Sequence, residues 1–187
     1  MAGIPFDLLH SQIVKYAKEM EEKRAEAKNR WKEIAESIVD STEIDKYDQL
    51  VKQAFMHSNA ETQLESMGYR VGFVLAERLS KDSAKFNTEL EIVKFICKEF
   101  WSNVFGKQVD NLRTNHAGVY VVQDNNFSML RTFSDSTQFT KDIGIYLAFP
   151  SGVIRGALAC LSVQAIVTAT VESLPVVKYH LQLAKKA

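Results

Sequence analysis

Cysteine is scarce in this sequence, limited to Cys97 and Cys160, with no CxxC spacing. Two isolated thiols suit a reducing compartment better than a disulfide scaffold. Charge of one sign is missing as well: Lys+Arg and Asp+Glu both number 23, for a formal net charge of zero. A dedicated nucleic-acid binder needs a basic field to neutralise phosphates, so that class is set aside. No uninterrupted apolar run reaches the roughly 20 residues that span a bilayer. No basic stretch followed by an apolar one and a small-residue cleavage site marks a secretory leader. The expectation is one soluble, intracellular domain, with 46% hydrophobic residues to supply a substantial core.

Catalytic and metal-binding signatures are lacking too. His10, His57, His116 and His180 form no HExxH pair, and none stands beside both cysteines. The nucleophile elbow GxSxG is absent, as are GxGxxG and GxxxxGK[ST]. In NLRTNHAG, Arg113, Asn115 and His116 stand near Asp110, but the segment reads as a polar helix-to-strand connection ending at Gly118. Cys97, flanked by Phe95, Ile96, Phe100 and Trp101, reads as a core thiol of raised pKa, and Cys160 in GALACL reads the same way. No catalytic residue, cofactor or metal is expected.

What the chain does contain is amphipathic pattern. In IPFDLLHSQIVKYAKEM, Pro5 fits a first turn, and Phe6, Leu9, Ile13, Tyr16, Ala17 and Met20 follow helical spacing. The next stretch, to about Gln53, is dense in charges of both signs. Glu19/Lys23 and Glu26/Arg30 support a helix there, and Trp31, Ile34, Ala35 and Ile38 give it a narrow apolar stripe. It reads as an exposed helical segment ending near Asp40-Ser41. Capping boxes at Ser58/Glu61 and Thr88/Glu91 open two further helices. In the second, ELEIVKFICKEFWSNVF, apolar residues run almost all round, as in a buried helix.

From Gly118 the period falls to two. GVYVVQDNNFSMLRTF reads as two strands joined at Asp124-Asn125-Asn126, and AIVTATVE and VVKYHLQLA read as a second pair joined by a turn with Pro175. Between the pairs, PSGVIRGALACL reads as a helix starting at Pro150. This order gives an α+β domain: N-terminal helices plus a four-stranded antiparallel sheet covered on one face by helices.

The first capped helix, LESMGYRVGFVLAERL, carries Gly68 and Gly72 in one stripe with Leu64, Met67, Val71, Leu75 and Leu79. Interior glycines cost a helix roughly 1 kcal/mol each. Because the stripe runs through them unbroken, they mark a line where a second helix packs at short distance, a device best known in membranes. Gly152 and Gly156 in SGVIRG repeat it. The partner helix lies either in this chain or in another.

These segments carry a resemblance. LESMGYRVGFVLAERLSKDSAKF, IVKFICKEFWSNVFGKQVDNLRTNHAGVYVVQDN, YLAFPSGVIRGALACL, IVTATVESLP and the opening FDLLHSQIV closely resemble the subunit 6 family of the TRAPP (transport protein particle) vesicle-tethering complex. The resemblance implies a single small-subunit domain over residues 1–187, interrupted by a charged helical insertion at about 21–53. It implies a non-catalytic scaffold that pairs with TRAPP subunit 3 through N-terminal helices, in an assembly that promotes nucleotide exchange on a Rab-family GTPase. The implied location is cytoplasmic, peripheral at cis-Golgi and ER–Golgi membranes, with membrane contact only through the assembly. Carried onto the two stripes, the pairing surface falls on Phe6, Leu9, Ile13, Leu64, Met67, Gly68, Val71, Gly72 and Leu75. The related subunit 3 carries an acylated cysteine after its glycine-bearing helix. LSKDSAKFN has none, so no acyl chain is expected there.

Two rivals stand beside that reading. One is a small-molecule-binding regulatory domain of the same fold, with a cavity lined by Phe100, Trp101, Tyr120 and Tyr146. The other is an autonomous homodimeric interaction module whose charged insertion binds a separate partner.

Overall fold

The computed structural model describes residues 3–38, 59–83, 85–115, 118–131 and 137–184. Helix α1 (Gly3–Ile38) is followed by α2 (Ala60–Ser80). A third helical stretch runs through α3 (Glu89–Phe95), a π-helical turn (Ile96–Phe100) and α4 (Trp101–Phe105). Strands β1 (Asn111–Thr114) and β2 (Val119–Asp124) precede α5 (Thr137–Cys160), and β3 (Ala165–Ser173) and β4 (Val176–Leu183) close the order. All strand pairs are antiparallel, in the order β1-β2-β4-β3. The α+β class and the four-stranded sheet are those expected.

Local chemistry accounts for the helix ends. The Asn59 side chain accepts the N–H of Thr62, so Asn59 caps α2 in place of the expected Ser58, which lies outside the described residues. Thr88 caps α3 as expected, its hydroxyl accepting the N–H of Glu91, while the Glu91 carboxylate reaches back to the N–H of Asn87. Gly106, at φ 85°, ends α4 in the left-handed region that glycine adopts without strain.

Three expectations are corrected. The segment after Asn126 is not a strand. Phe127, Met129 and Leu130 are all buried, a spacing that fits no alternating strand, and Ser128–Leu130 forms a 3-10 turn. The Asp124 carboxylate accepts the N–H of Asn126 and bends the chain into the core. Second, β2 instead pairs with Asn111–Thr114, the stretch read as a polar connection. Third, Pro150 lies inside α5, not at its start. It has no N–H for the carbonyl four residues back, yet the helix continues because the packing of α5 on α2 holds both halves.

The core lies between helices and sheet. Val177, Tyr179, Leu181 and Leu183 of β4 point into it, and Lys178, His180 and Gln182 alternate away. Ile92, Val93, Phe95, Ile96, Cys97, Phe100, Trp101 and Phe105 are all buried. The π-helical turn widens the apolar stripe by placing Ile96, Cys97 and Phe100 inside together. Among the described residues, one stretch, Ile143–Cys160, is long and apolar enough to cross a membrane, but it is mostly buried, as a core helix is.

Candidate interaction surface

The glycines settle where α2 meets its close neighbour. A Cβ on Gly68 would lie 2.1 Å from the carbonyl oxygen of Phe149, and one on Gly72 2.0 Å from that of Val153. On the facing helix, a Cβ on Gly152 would lie 2.1 Å from the oxygen of Glu65, and one on Gly156 2.0 Å from that of Tyr69. The two glycine pairs therefore answer each other across α2 and α5, with glycine hydrogens directed at main-chain carbonyls. This corrects the expectation that Gly68 and Gly72 admit another subunit, because the helix they admit is in this chain. Leu64 is fully buried in the same contact row and belongs to the core.

A second stripe of α2 faces elsewhere. Met67, Val71 and Val74 follow i, i+4, i+7, about a hundred degrees round the helix from the buried row, and all are exposed. Leu75, between the two rows, is half-buried against the core. On α1, which touches α2, Leu9, Ile13 and Tyr16 have the same spacing. Leu9 is 55% and Tyr16 60% exposed, while Ile13 packs partly on the core. Phe6 lies in the first turns of α1, its side chain outside the described residues. Exposed apolar side chains at helical spacing on each of two touching helices are of the kind that marks protein–protein contact. The sequence did not single out Val74, although its spacing from Val71 could have shown it.

Adjacent rows anchor α1. His10, Val14 and Ala17 are buried beneath the exposed stripe. The His10 ring sits 5.6 Å from that of Phe149 and 6.2 Å from that of Tyr146, and its Nε2 has no hydrogen-bond partner. Burial pushes its pKa down to about 4. Folded His10 thus stays neutral where the unfolded chain, with an ordinary value of 6.5, takes up a proton. Stability is complete above pH 6.5 and falls as the pH drops towards 4, by up to about 3 kcal/mol from this group. His10→Leu is expected to flatten that slope in urea unfolding followed from pH 7 to pH 4.5, and an unchanged slope would refute the assignment. Further along α1, the Glu21 carboxylate accepts the N–H of Ala60 at 3.3 Å, tying the midpoint of α1 to the start of α2. Beyond it, most of the described side chains as far as Ile34 are exposed, including Trp31 at 71%.

The residues proposed for a ligand cavity do not converge on one. Phe100 and Trp101 are fully buried, and the indole packs on Phe105, Tyr179 and Phe127. Tyr120 is buried, and Tyr146 faces His10 on the other side of the helical layer. Trp101 Nε1 donates to the buried Asp124 carboxylate at 3.0 Å, and Lys107 Nζ lies 2.9 Å from the other oxygen. Burial pushes the Cys97 thiol up to about 12, which makes it inert as a nucleophile. Cys160, half-buried, is raised as well, by burial and then by Glu77. Arg113 is exposed, Asp110 pairs with Lys107 at 2.5 Å, and His116 lies outside the described residues. Among the described residues, no group of three or more His, Cys, Asp or Glu is placed to hold a metal.

A helical layer on a four-stranded antiparallel sheet, with an apolar face left on its N-terminal helices, describes an assembly component. The profile of the transport protein particle (TRAPP) component family matches residues 6–184, and the chain belongs to that family. Trafficking protein particle complex subunit 6B of Mus musculus is 53% identical over 124 residues, covering 66% of this chain and 78% of that protein. Subunit 6A of Homo sapiens is 46% identical over 122 residues, covering 65% and 77%. These similarities place the chain in the subunit 6 branch. Among solved structures, the fold matches that of trafficking protein particle complex subunit 3 from Naegleria fowleri, covalently bound to palmitic acid. The TM-score is 0.57 at 19% identity, over 75% of this chain and 92% of that one.

Proposed function

We propose that this TRAPP subunit is a non-catalytic scaffold that pairs with TRAPP subunit 3 through the exposed face of α1 and α2. The observation that carries the reading is the double apolar stripe: Leu9, Ile13 and Tyr16 on one helix, Met67, Val71 and Val74 on the other, with Leu75 at its margin. Phe6 extends the face by sequence. Leu64, Gly68 and Gly72 support it from beneath by fixing α2 on α5. Burying each large apolar side chain gains roughly 1.5–3 kcal/mol before the costs of ordering and association.

On this reading the dimer is built into the complex that serves ER-to-Golgi transport and supports Rab nucleotide exchange as a whole, at cis-Golgi and ER–Golgi membranes. No cysteine lies in Leu79–Asn87, so the subunit carries no acyl anchor at that place.

Sedimentation velocity of the chain, alone and after co-expression with subunit 3 of its own species, tests the pairing. A one-to-one heterodimer is expected. A chain that stays separate from subunit 3 while folded and monodisperse overturns the proposal. Val71→Asp places an unpaired charge in the proposed contact and is expected to weaken pairing at least about 100-fold. Because Val71 is 40% exposed in the lone chain, the variant's unfolding free energy is expected to stay within about 0.5 kcal/mol of wild type.

A further inference from the structure

Among the described residues, the β3 edge of the sheet has no pairing strand beyond it. In the order β1-β2-β4-β3, strand β3 is an outer strand of nine residues. The N–H of Ala184 donates to the carbonyl of Gln164 at 2.8 Å, in register with the pairs Ile166↔Gln182 and Thr168↔His180. Hydrogen-bonded pairs alternate along an antiparallel ladder. Gln164, Ile166 and Thr168 therefore bond inward to β4, and the N–H and C=O groups of Ala165, Val167 and Ala169 point out from the open edge. A register shift between Val171 and Ser173 ends the row.

Natural edge strands are usually blunted by lysine, proline or brevity. Between Ala165 and Val171 this one has no charge and no proline. The helical layer also stops short of it, since Ala165, Val167 and Ala169 face the helices yet are only half-buried. Beside the start of the strand lies a hollow of about 230 Å³, lined by the polar Thr62, Glu65, Ser66, Arg155 and Gln164 as well as by Tyr69, Ala159 and Ala165. The Arg155 guanidinium stacks 5.0 Å from the Tyr69 ring centroid. Its Nε lies 3.0 Å from Glu65 Oε1 without a hydrogen-bond partner, so the ion pair forms the rim.

We propose that β3 accepts an extended peptide of another protein as a fifth strand, with one aromatic side chain seated in this hollow against the Tyr69 ring and the Arg155 guanidinium. Main-chain pairing supplies affinity in such additions, and a pocket beside the edge selects the side chain. A second copy of β3 fits less well. Antiparallel self-pairing that matches the outward groups sets Val171 opposite Ala165, and valine is too small to fill the space.

The probes are two fluorescent heptapeptides alternating threonine with valine, one with phenylalanine and one with alanine at the centre, titrated by anisotropy into the full chain. The phenylalanine peptide is expected to bind at least tenfold more tightly than the alanine peptide, and N-methylation of alternate peptide amides is expected to abolish binding. Val167→Pro removes only an outward N–H, so it is expected to leave the ladder intact and abolish binding. If that variant fails to fold, the N-methylated probe decides the matter on the unchanged chain. No saturable binding of the phenylalanine peptide up to 1 mM (about −4 kcal/mol), or binding indifferent to N-methylation, overturns the proposal. Concentration-dependent dimers that Val167→Pro or Ala169→Pro disperses would make the occupant a second copy and overturn it equally. Subunit 3 pairing is expected to survive Val167→Pro, so the two surfaces can fail separately.

Discussion

Gly72→Ala is expected to destabilise the chain by about 3 kcal/mol or more, the upper end of what overpacking costs. In an isolated helix the same change gains roughly 1 kcal/mol, so tertiary packing reverses the sign. The added methyl would lie 2.0 Å from the carbonyl oxygen of Val153 and 2.7 Å from both its carbonyl and α carbons. None of these atoms can rotate away as a side-chain tip would. The helices must separate by more than 1 Å, which also loosens the contacts at Gly68, Gly152 and Gly156. For a chain of this size the midpoint should fall by about 6–12 °C, read by calorimetry. Gly144→Ala is the internal control. Its Cβ would meet only the flexible Glu61 carboxylate at 3.6 Å, so it is expected to stabilise α5 by up to about 1 kcal/mol. Equal midpoints for the two variants would show that the close crossing does not constrain the fold.

The second large effect is expected at Asp124. Its carboxylate is 1% exposed and accepts from Trp101 Nε1 at 3.0 Å and from the N–H of Asn126 at 2.9 Å, with Lys107 Nζ 2.9 Å away. Asp124→Ala leaves the indole N–H unpaired in the aromatic core and the ammonium without its inner partner. Leaving a buried donor unpaired costs about 1–3 kcal/mol, while Lys107, partly exposed and still paired with Asp110, adds little. The loss is a large share of the roughly 5–15 kcal/mol that holds a domain folded. Asp124→Asn keeps an acceptor for the indole and the turn, so it should recover part of the loss. Urea unfolding measures the first effect, and the near-UV circular dichroism of Trp101 reports whether the ring loses its fixed setting. A change under about 1 kcal/mol in Asp124→Ala would mean that water or a neighbour takes over the bond.

Much of this fold was legible because its periodicities are strong. Val177, Tyr179, Leu181 and Leu183 alternate without a fault, and β4 lies where they place it. Leu64, Gly68 and Gly72 line up at every fourth position, which identified a close helix crossing but not its partner. Spacing reports a face and carries no address. The errors fell where tertiary contacts override local signals. Phe127 looks like a strand residue in a run ending in Phe133, yet the Asx turn at Asp124 sends it into the aromatic core instead. Arg113 and Thr114 read as loop because they are polar, yet β1 needs little burial at the edge of a sheet. Pro150 looked like a helix start because a proline inside a helix is disfavoured locally, and only the glycine-lined contact with α2 shows why it is tolerated. Within the proposed interaction surface, Leu9 and Val71 were legible as apolar positions. Their exposure was not, since a stripe on a two-sided helix has to be divided between core and surface by the rest of the fold.

The tie between Glu21 and Ala60 gives α1 a fulcrum. From there to Ile38 the helix runs on for 17 residues, about 25 Å at 1.5 Å per residue. A tilt of about 10° at the tie would swing the tip through roughly 4 Å, given the same rise, while His10, Val14 and Ala17 on the inner arm stay seated. A partner that grips the far end is therefore held about 25 Å from the tie, while the half that carries Leu9 and Tyr16 stays fixed by its buried row.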